Sequence, residues 1–433
     1  MVVGGAGPLA PATLSGPGTW GTCNDAAVPR NRVLAIIQAG GAGGRMDVLT
    51  RERAKPALPF AGVYQLVDFP LSNLANSDIS QVWLSLQYQG HGLAEAVANG
   101  RPWDLDRTRG GLRLLTPQQG TGSDDEQGFA QGNADELYRV RDEIRAAAPE
   151  LVIVLSADHV YRFDFNDAIR THDEHGAECT IVTSEVDLEE ASDHATVESD
   201  DDGLVTGFAY KPEKPTTTTV ATEIFVYDAK ALINVIEELH HEWAADPDPS
   251  DNGLGDFGEV LVPRFVERGR TVAHALPGYW RDLGQPHHYV AAHQDILLDD
   301  QGLFGDQDWP FLTRQPQRVP ARVLDGAHVV DSLVSPGARV SGEVYRSVLG
   351  PGVRVEAGAV VRNCVVFSDC VIEKDARLDW AVVDERSVVS SGSVVGREDA
   401  DGGGAADQVT IIGRDSRVSQ DLESGSRLEP GTT

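Results

Sequence analysis

The segment Ala39-Gly40-Gly41-Ala42-Gly43-Gly44-Arg45 has the residue types and spacing to hold phosphate. An apolar run, Val33 to Ile37, leads into it, and Arg51, Arg53, Lys55 and Pro56 follow. Glycines let backbone N–H groups approach an anion closely, and arginine and lysine supply charge. A glycine loop alone is equally a structural turn. The cations beside it argue for more, because the 433-residue chain has 36 Lys and Arg against 67 Asp and Glu. A basic stretch in a protein of formal net charge -31 implies a local anionic ligand.

The elements around this loop alternate. Val82–Leu86, Leu151–Leu155, Cys179–Val182 and Ile224–Tyr227 read as strands, and Glu136–Ala148, Asn166–His175 and Lys230–Trp243 as helices. Such alternation implies an α/β domain, a mostly parallel sheet with helices on both faces. Ligands of such sheets bind beyond the carboxyl ends of strands, where both the glycine loop and Asp158 fall. The acidic stretch His240–Gly255 reads as a surface loop. Past about Pro320 the grammar changes. Val360, Val366, Ile372 and Leu378 are six apart, as are Val323 and Val329, Val334 and Val340, and Val388 and Val394. Gly337, Gly352, Gly358 and Gly392 punctuate the turns, and together these features predict a parallel β-helix. Asp399–Asp407 reads as a loop and Val409–Ile412 as the final strand. The domains expected are a disordered tail over 1–30, an α/β domain over 31–300, a linker over 301–320 and the β-helix over 321–433.

Composition excludes several classes. The negative charge argues against binding nucleic acid or an anionic membrane, which need a basic face. No apolar run is long enough to cross a membrane. Cys23, Cys179, Cys364 and Cys370 form no metal motif, and so few cysteines in a long chain suggest a reducing cytoplasm.

Taken together the motifs resemble the bacterial ADP-glucose pyrophosphorylases, a branch of the sugar-1-phosphate nucleotidyltransferases. They are QAGGAGGRM at 38–46, ERAKPALPF at 52–60, LVDFPLSN at 66–73, LQYQGH at 86–91 and LLTPQQ at 114–119. QGNADEL at 131–137, SADHVYRFD at 156–164, DFGEVLVP at 256–263 and YWRDLG at 279–284 follow in the family's order. The resemblance implies a nucleotidyltransferase α/β domain, a left-handed β-helix and a homotetramer, or a hetero-oligomer with an active homologue. It implies adenylyl transfer from ATP to glucose 1-phosphate, giving ADP-glucose and pyrophosphate for glycogen synthesis. The sugar phosphate oxygen attacking the α-phosphate is already an anion, so positioning and charge neutralisation suffice.

The matched positions imply roles. Gly40, Gly41 and Gly43 bind nucleotide phosphates, with Arg45 and Lys55 as catalytic cations. Asp158 and Asp282 match the family's Mg²⁺ carboxylates, in keeping with magnesium's preference for hard oxygen ligands. Gln118 and Gln119 match the adenine side, Gly132 and Asp135 the segment closing over the nucleotide, and Lys211 the lysine that binds the sugar phosphate.

This chain also departs from the family. Tyr210 stands where the family has Glu, Ala221-Thr222-Glu223 where it has Ser-Met-Gly, Ala195 where it has Gly and Glu259 where it has Lys. The run before Gly132 is reduced to Phe129-Ala130-Gln131. Tyr210 and Glu223 therefore fall in an altered sugar site, and a site that loses polar partners discriminates differently. Two other readings stay open: transfer to a different sugar 1-phosphate, and a weakly active regulatory subunit. Glu52, where the family has an activator-binding lysine, predicts weak response to an anionic effector.

Overall fold

The computed structural model describes residues 32–39, 43–117, 130, 132–245, 254–298, 302–396 and 408–433. Gly40, Gly41, Gln118, Gln119, Cys23, the tail 1–30 and the segment Asp399–Asp407 lie outside the described residues. The first apolar run forms β1 (Val33–Ala39), which leads through the glycine loop to a hairpin, β2 (Pro59–Phe60) and β3 (Tyr64–Gln65), then α1 (Asp68–Asn76). Next come β4 (Gln81–Leu86), α2 (Gly90–Val97), β5 (Gly111–Leu115), α3 (Asn133–Arg139), α4 (Arg141–Ala147), β6 (Leu151–Ser156) and β7 (His159–Tyr161). They are followed by α5 (Phe165–His175), β8 (Cys179–Glu185), β9 (Ala195–Ser199), β10 (Val205–Tyr210) and β11 (Thr219–Asp228). The α/β unit ends with α6 (Ala229–Ala245), α7 (Val262–Glu267), β12 (Thr271–Ala275), β13 (Trp280–Asp282) and α8 (Pro286–Leu298).

Nine strands form one mixed sheet, ordered β10-β9-β11-β6-β1-β4-β5, with β8 paired to β11 and β12 to β8. The middle, β6-β1-β4-β5, is parallel as expected, but β11 runs antiparallel to β6. Both faces are covered. Leu34 and Ile36 enter one core cluster and Ala35 and Ile37 the other, which is why β1 reads as a continuous apolar run. Each fully buried aliphatic side chain of this kind contributes roughly 1.5–3 kcal/mol.

Two helix expectations change. The single helix Glu136–Ala148 is instead α3 and α4, broken at Val140, where φ is -99° and ψ 8°. The break lets Tyr138 stack on His240, ring centroids 3.8 Å apart, with the Arg141 guanidinium 3.9 Å from the Tyr138 ring centre. The helix expected over Lys230–Trp243 runs on to Ala245, so the start of the stretch His240–Gly255 is helix rather than loop. Buried Leu239 and the partly buried Trp243, four residues on, keep α6 against the core through the acidic text.

Beyond residue 321 three parallel sheets stack as a β-helix. The six-residue spacing is approximate. Val355 pairs with Ile372 and Leu349 with Val366, seventeen residues on, while Val340 pairs with Val355 after only fifteen. This drift moves the inward position by one: Val361, Val389 and Val395 are buried, where Val360, Val388 and Val394 are only half-buried. Val366, Ile372 and Leu378 point inward as expected, and Cys364 and Cys370 are core residues. Thr410–Ile412 is not the final strand, since Arg417–Val418 and Arg427–Leu428 follow it. The stretch 302–321 has no regular element but is packed against α1: Trp309 donates to Asn73 at 2.9 Å, and the Leu312 N–H to Ser72 at 2.8 Å.

The α/β unit and the β-helix share a core in which Met46, Val48, Leu49, Leu58 and Phe60 meet Val348, Val365, Phe367 and Ile411. The hairpin tip touches the β-helix so closely that a Cβ on Gly62, at φ +84°, would lie 2.2 Å from the Ser335 hydroxyl. His293 on α8 holds this tip. Its Nε2 accepts the Ala61 N–H at 3.1 Å and its Nδ1–H donates to the Tyr289 carbonyl at 2.8 Å, so the ring is neutral. Burial pushes the His293 pKa down to about 4. On acidification the unfolded chain therefore takes up a proton near the ordinary histidine value while the folded ring does not. Stability present above about pH 6.5 is expected to fall by roughly 3 kcal/mol as pH drops towards 4. Urea midpoints across this range check it, and His293→Gln should flatten the slope while lowering stability at neutral pH.

Candidate active site

Asp158 and Asp282 are far apart in sequence, and a short strand pairing joins them. β7 follows directly on Asp158 and runs antiparallel to β13, with His159 opposite Asp282. Lys55 enters from the short helical turn Lys55–Ala57 after the glycine loop. Its buried ammonium lies 2.5 Å from Asp158 Oδ2 and 3.5 Å from Asp282 Oδ1. His159 Nε2 lies 3.4 Å from Asp282 and 3.6 Å from Asp158, while Nδ1 faces the Thr222 carbonyl at 3.1 Å.

The charges sustain one another. Burial disfavours every one of them, yet Asp158 and Asp282 together hold Lys55 charged, its pKa above the ordinary lysine value. Against the same burial, Lys55 and His159 hold both carboxyls below the usual aspartate range. Burial also opposes a proton on His159, but the hydrogen bond and charge of Asp282, then the charges of Asp158 and Glu223, push its pKa up to about 9.

These groups lie at a cavity of about 500 Å³ lined by Gly43, Arg45, Lys55, Gly132, Asp158, Tyr210, Lys211 and Glu223. Gly43 adopts φ +64°, and its carbonyl accepts the Thr50 hydroxyl at 2.8 Å, which closes the turn. Arg45 is exposed at the mouth. At Gly132, φ +129°, a Cβ would sit 2.2 Å from the Gly255 carbonyl oxygen, so only glycine fits. Asp135, expected at the nucleotide, instead accepts from Arg139 at 2.8 Å and is absent from the cavity wall. Its neighbour Glu136, one position further round α3, faces the cavity together with Gln38, Gln87 and Asn133. Glu136 is not among the residues expected at the site; an acidic residue on the apolar side of a helix is the signal for it in the sequence.

The residues that depart from the family have their own geometry. β11 pairs Ala221 with Thr183 but Phe225 with Ile181, so the strand bulges over the residues between. Glu223 sits in this bulge at φ 56°, and its carboxylate points into the cavity 3.8 Å from His159 Nε2. A bulge re-aims a side chain in this way. Burial raises the Glu223 pKa, and the charge of His159 opposes the rise. Tyr210 donates to Asp256 at 3.2 Å, and Lys211 Nζ lies 4.8 Å from the centre of the Tyr210 ring. The backbone N–H of Lys211 donates to His194 at 3.1 Å. Ala221 and Ala195 are buried in the core and absent from the cavity wall, and Glu259 caps the turn starting at Asp256. Of the departures among the described residues, Ala130, Tyr210 and Glu223 face the cavity.

The carboxylates suit a hard divalent cation, because Asp158 and Glu223 bring oxygens within 4.8 Å of each other and Asp282 lies close by, while His159 between them carries a proton and balances their charge. The residues after the glycine loop also grip the β-helix. Buried Arg53 pairs with Asp384 at 2.8 Å and Glu385 at 3.2 Å, and Arg427 pairs with Asp47 at 2.9 Å. Exposed Glu52 lies 3.9 Å from Arg414, which pairs more closely, at 2.5 Å, with Glu385.

A nucleotidyl transferase family model matches residues 34–298, and a GlmU-like C-terminal hexapeptide model matches residues 319–413. The glucose-1-phosphate adenylyltransferase of Thermotoga neapolitana is 39% identical over 333 residues, 76% of each chain. That of Thermomicrobium roseum is 36% identical over 92% of both chains. That of Clostridium perfringens is 33% identical over 85% of this chain and 92% of its own.

A left-handed glutamate costs on the order of 1 kcal/mol. Glu223→Gly is therefore expected to raise stability by about that amount, measured by urea denaturation. A loss would show that the His159 contact outweighs the strain.

Proposed function

The chain belongs to the nucleotidyl transferase family, and from that premise we infer that it transfers the adenylyl group of ATP to glucose 1-phosphate, giving ADP-glucose and pyrophosphate. The observation that carries this reading is the Lys55–Asp158–Asp282 array at the glycine loop. Transfer needs no protein nucleophile, because the attacking phosphate oxygen is already charged. It needs two polyanions held in line and their charge neutralised.

Each cation has a station. Arg45 and Lys55 meet the triphosphate beside the loop Gly40, Gly41 and Gly43. Lys211 meets the sugar phosphate, and Gln118, Gln119 and Gly132 enclose the nucleotide. Asp158 and Asp282 hold a divalent cation, Mg²⁺ on this reading, which supplies further charge neutralisation. His159, charged and tied to the Thr222 carbonyl, keeps both carboxylates in place. Residues 31–300 form the catalytic domain and 321–433 the β-helix, joined by the linker 301–320. The first coil of the β-helix exposes Val323 and Leu333 at its open edge, which favours a tetramer over a monomer. No described helix is long and apolar enough to cross a membrane. Few cysteines, with Cys179, Cys364 and Cys370 buried and free, support a cytoplasmic setting. Glu52 beside Arg414 offers an anionic effector no net attraction, so activation by sugar bisphosphates is weak.

Asp158→Asn keeps the shape but loses the charge. It is expected to lower the rate of pyrophosphate release from ATP and glucose 1-phosphate by on the order of 100-fold or more, with an unchanged circular dichroism spectrum. Near-full activity would remove the carboxylate from the mechanism.

Glu223 and Tyr210 favour a second reading of the sugar end, in which another hexose 1-phosphate binds better. Replacing hydroxyl acceptors at a buried sugar costs about 1 kcal/mol each. A panel of sugar 1-phosphates is expected to show kcat/KM for glucose 1-phosphate rising several-fold in Glu223→Gly. No change there would leave glucose as the sugar the wild-type pocket fits.

A further inference from the structure

The sheet order assigns the two ends of the cavity. The glycine loop follows β1 at its centre. Asp158 follows β6 on one side, and Glu223 lies on β11 beyond it. With phosphates at the loop and the sugar phosphate at Lys211, the nucleobase is left the opposite side, beyond β4. That side is polar where a buried sheet face would be apolar. Gln38 on β1 lies opposite Ser85 on β4, and Gln87 follows β4 directly.

Glu136 of α3 covers this polar patch. Its side chain lines the cavity, yet the residue is only 6% exposed. Gln87 donates to Oε2 at 3.2 Å, while Oε1 has no hydrogen-bond partner among the described residues. A buried carboxyl oxygen left unpaired is costly, and at a cavity wall a ligand donor would relieve that cost. Burial pushes the Glu136 pKa up to about 7, with Ser85 and then Gln87 opposing the shift. Above that value the carboxylate is ionised and offers acceptors only.

We propose that Glu136 reads the nucleobase, its free Oε1 accepting a hydrogen bond from the exocyclic 6-amino group of adenine. This rests on the nucleotide reading above and adds the residue that selects the base. Adenine offers an N–H donor at that position. A 6-oxo purine presents a carbonyl oxygen there, which faces the ionised carboxylate as acceptor to acceptor. An unsubstituted purine presents nothing and leaves Oε1 unpaired.

Equilibrium binding tests the assignment without needing turnover. Isothermal titration of the full-length protein, with Mg²⁺ present, would compare ATP, ITP and purine riboside 5′-triphosphate, which lacks the 6-amino group. Wild-type protein is expected to bind ATP about tenfold or more tightly than purine riboside triphosphate, and ITP more weakly still. Glu136→Ala should bring the three ligands within about threefold, chiefly by weakening ATP. Glu136→Gln keeps an acceptor oxygen and should retain most of the preference for ATP, which guards against reading a folding defect as lost recognition. An ATP preference undiminished in Glu136→Ala overturns the proposal, as does a wild-type protein that binds all three alike. If ATP is preferred through Glu136 but no ADP-sugar forms, base recognition stands and the transferase reading falls. If no nucleotide binds, both fall.

Discussion

The site depends on one buried ammonium. Lys55 lies between Asp158, in the turn after β6, and Asp282 on β13, and partial or full burial disfavours each of the three charges on its own. Removing Lys55 would leave two carboxylates a few ångströms apart with His159 as their remaining counter-charge. Removing either carboxylate would leave the lysine with a single counter-charge. The cluster therefore fixes the relative positions of the glycine loop, β6 and the β7–β13 pair, the three elements that a triphosphate must span.

The same stretch of chain reaches the other way. Arg53, two residues before Lys55, is buried against Asp384 and Glu385 of the β-helix. Ala54 alone separates a residue fixed in the β-helix from a residue fixed in the active site. Breaking a buried pair such as Arg53–Asp384 typically costs about 3–5 kcal/mol, and here the disturbance would pass directly to Lys55. Phe60 and Met46 pack into the shared core on either side, so the β-helix serves as a wall of the catalytic unit as well as an appended stack.

Much of this was legible in the sequence, for reasons that differ by residue. The glycine loop and Lys55 announce themselves because phosphate binding needs small residues and charge in a local stretch. Asp158 is readable because it ends a fully apolar strand. The proximity of Asp282 follows from the β7–β13 pairing, which no local pattern encodes; only the resemblance pointed to it. The β-helix was visible as a period, but the coils of fifteen and seventeen residues shift the inward position from Val388 to Val389. Asp135 and Glu136 show the limit most clearly. Two adjacent acids on a short helix differ by about 100° in direction, and the break at Val140 that sets α3 apart is a tertiary effect. Glu223 was readable as a departure, while its aim into the cavity depends on a bulge in β11.

The central claim is that this array serves attack at the α-phosphorus of ATP by a sugar phosphate. Phosphorus NMR of wild-type protein with ATP, glucose 1-phosphate and Mg²⁺ tests it directly, because each product has its own resonances. The account predicts that the α-phosphorus signal of ATP is replaced by the two diphosphate signals of ADP-glucose, with one equivalent of pyrophosphate. Formation of ADP with a sugar bisphosphate, which is transfer of the γ-phosphoryl group, would contradict it, as would an unchanged spectrum.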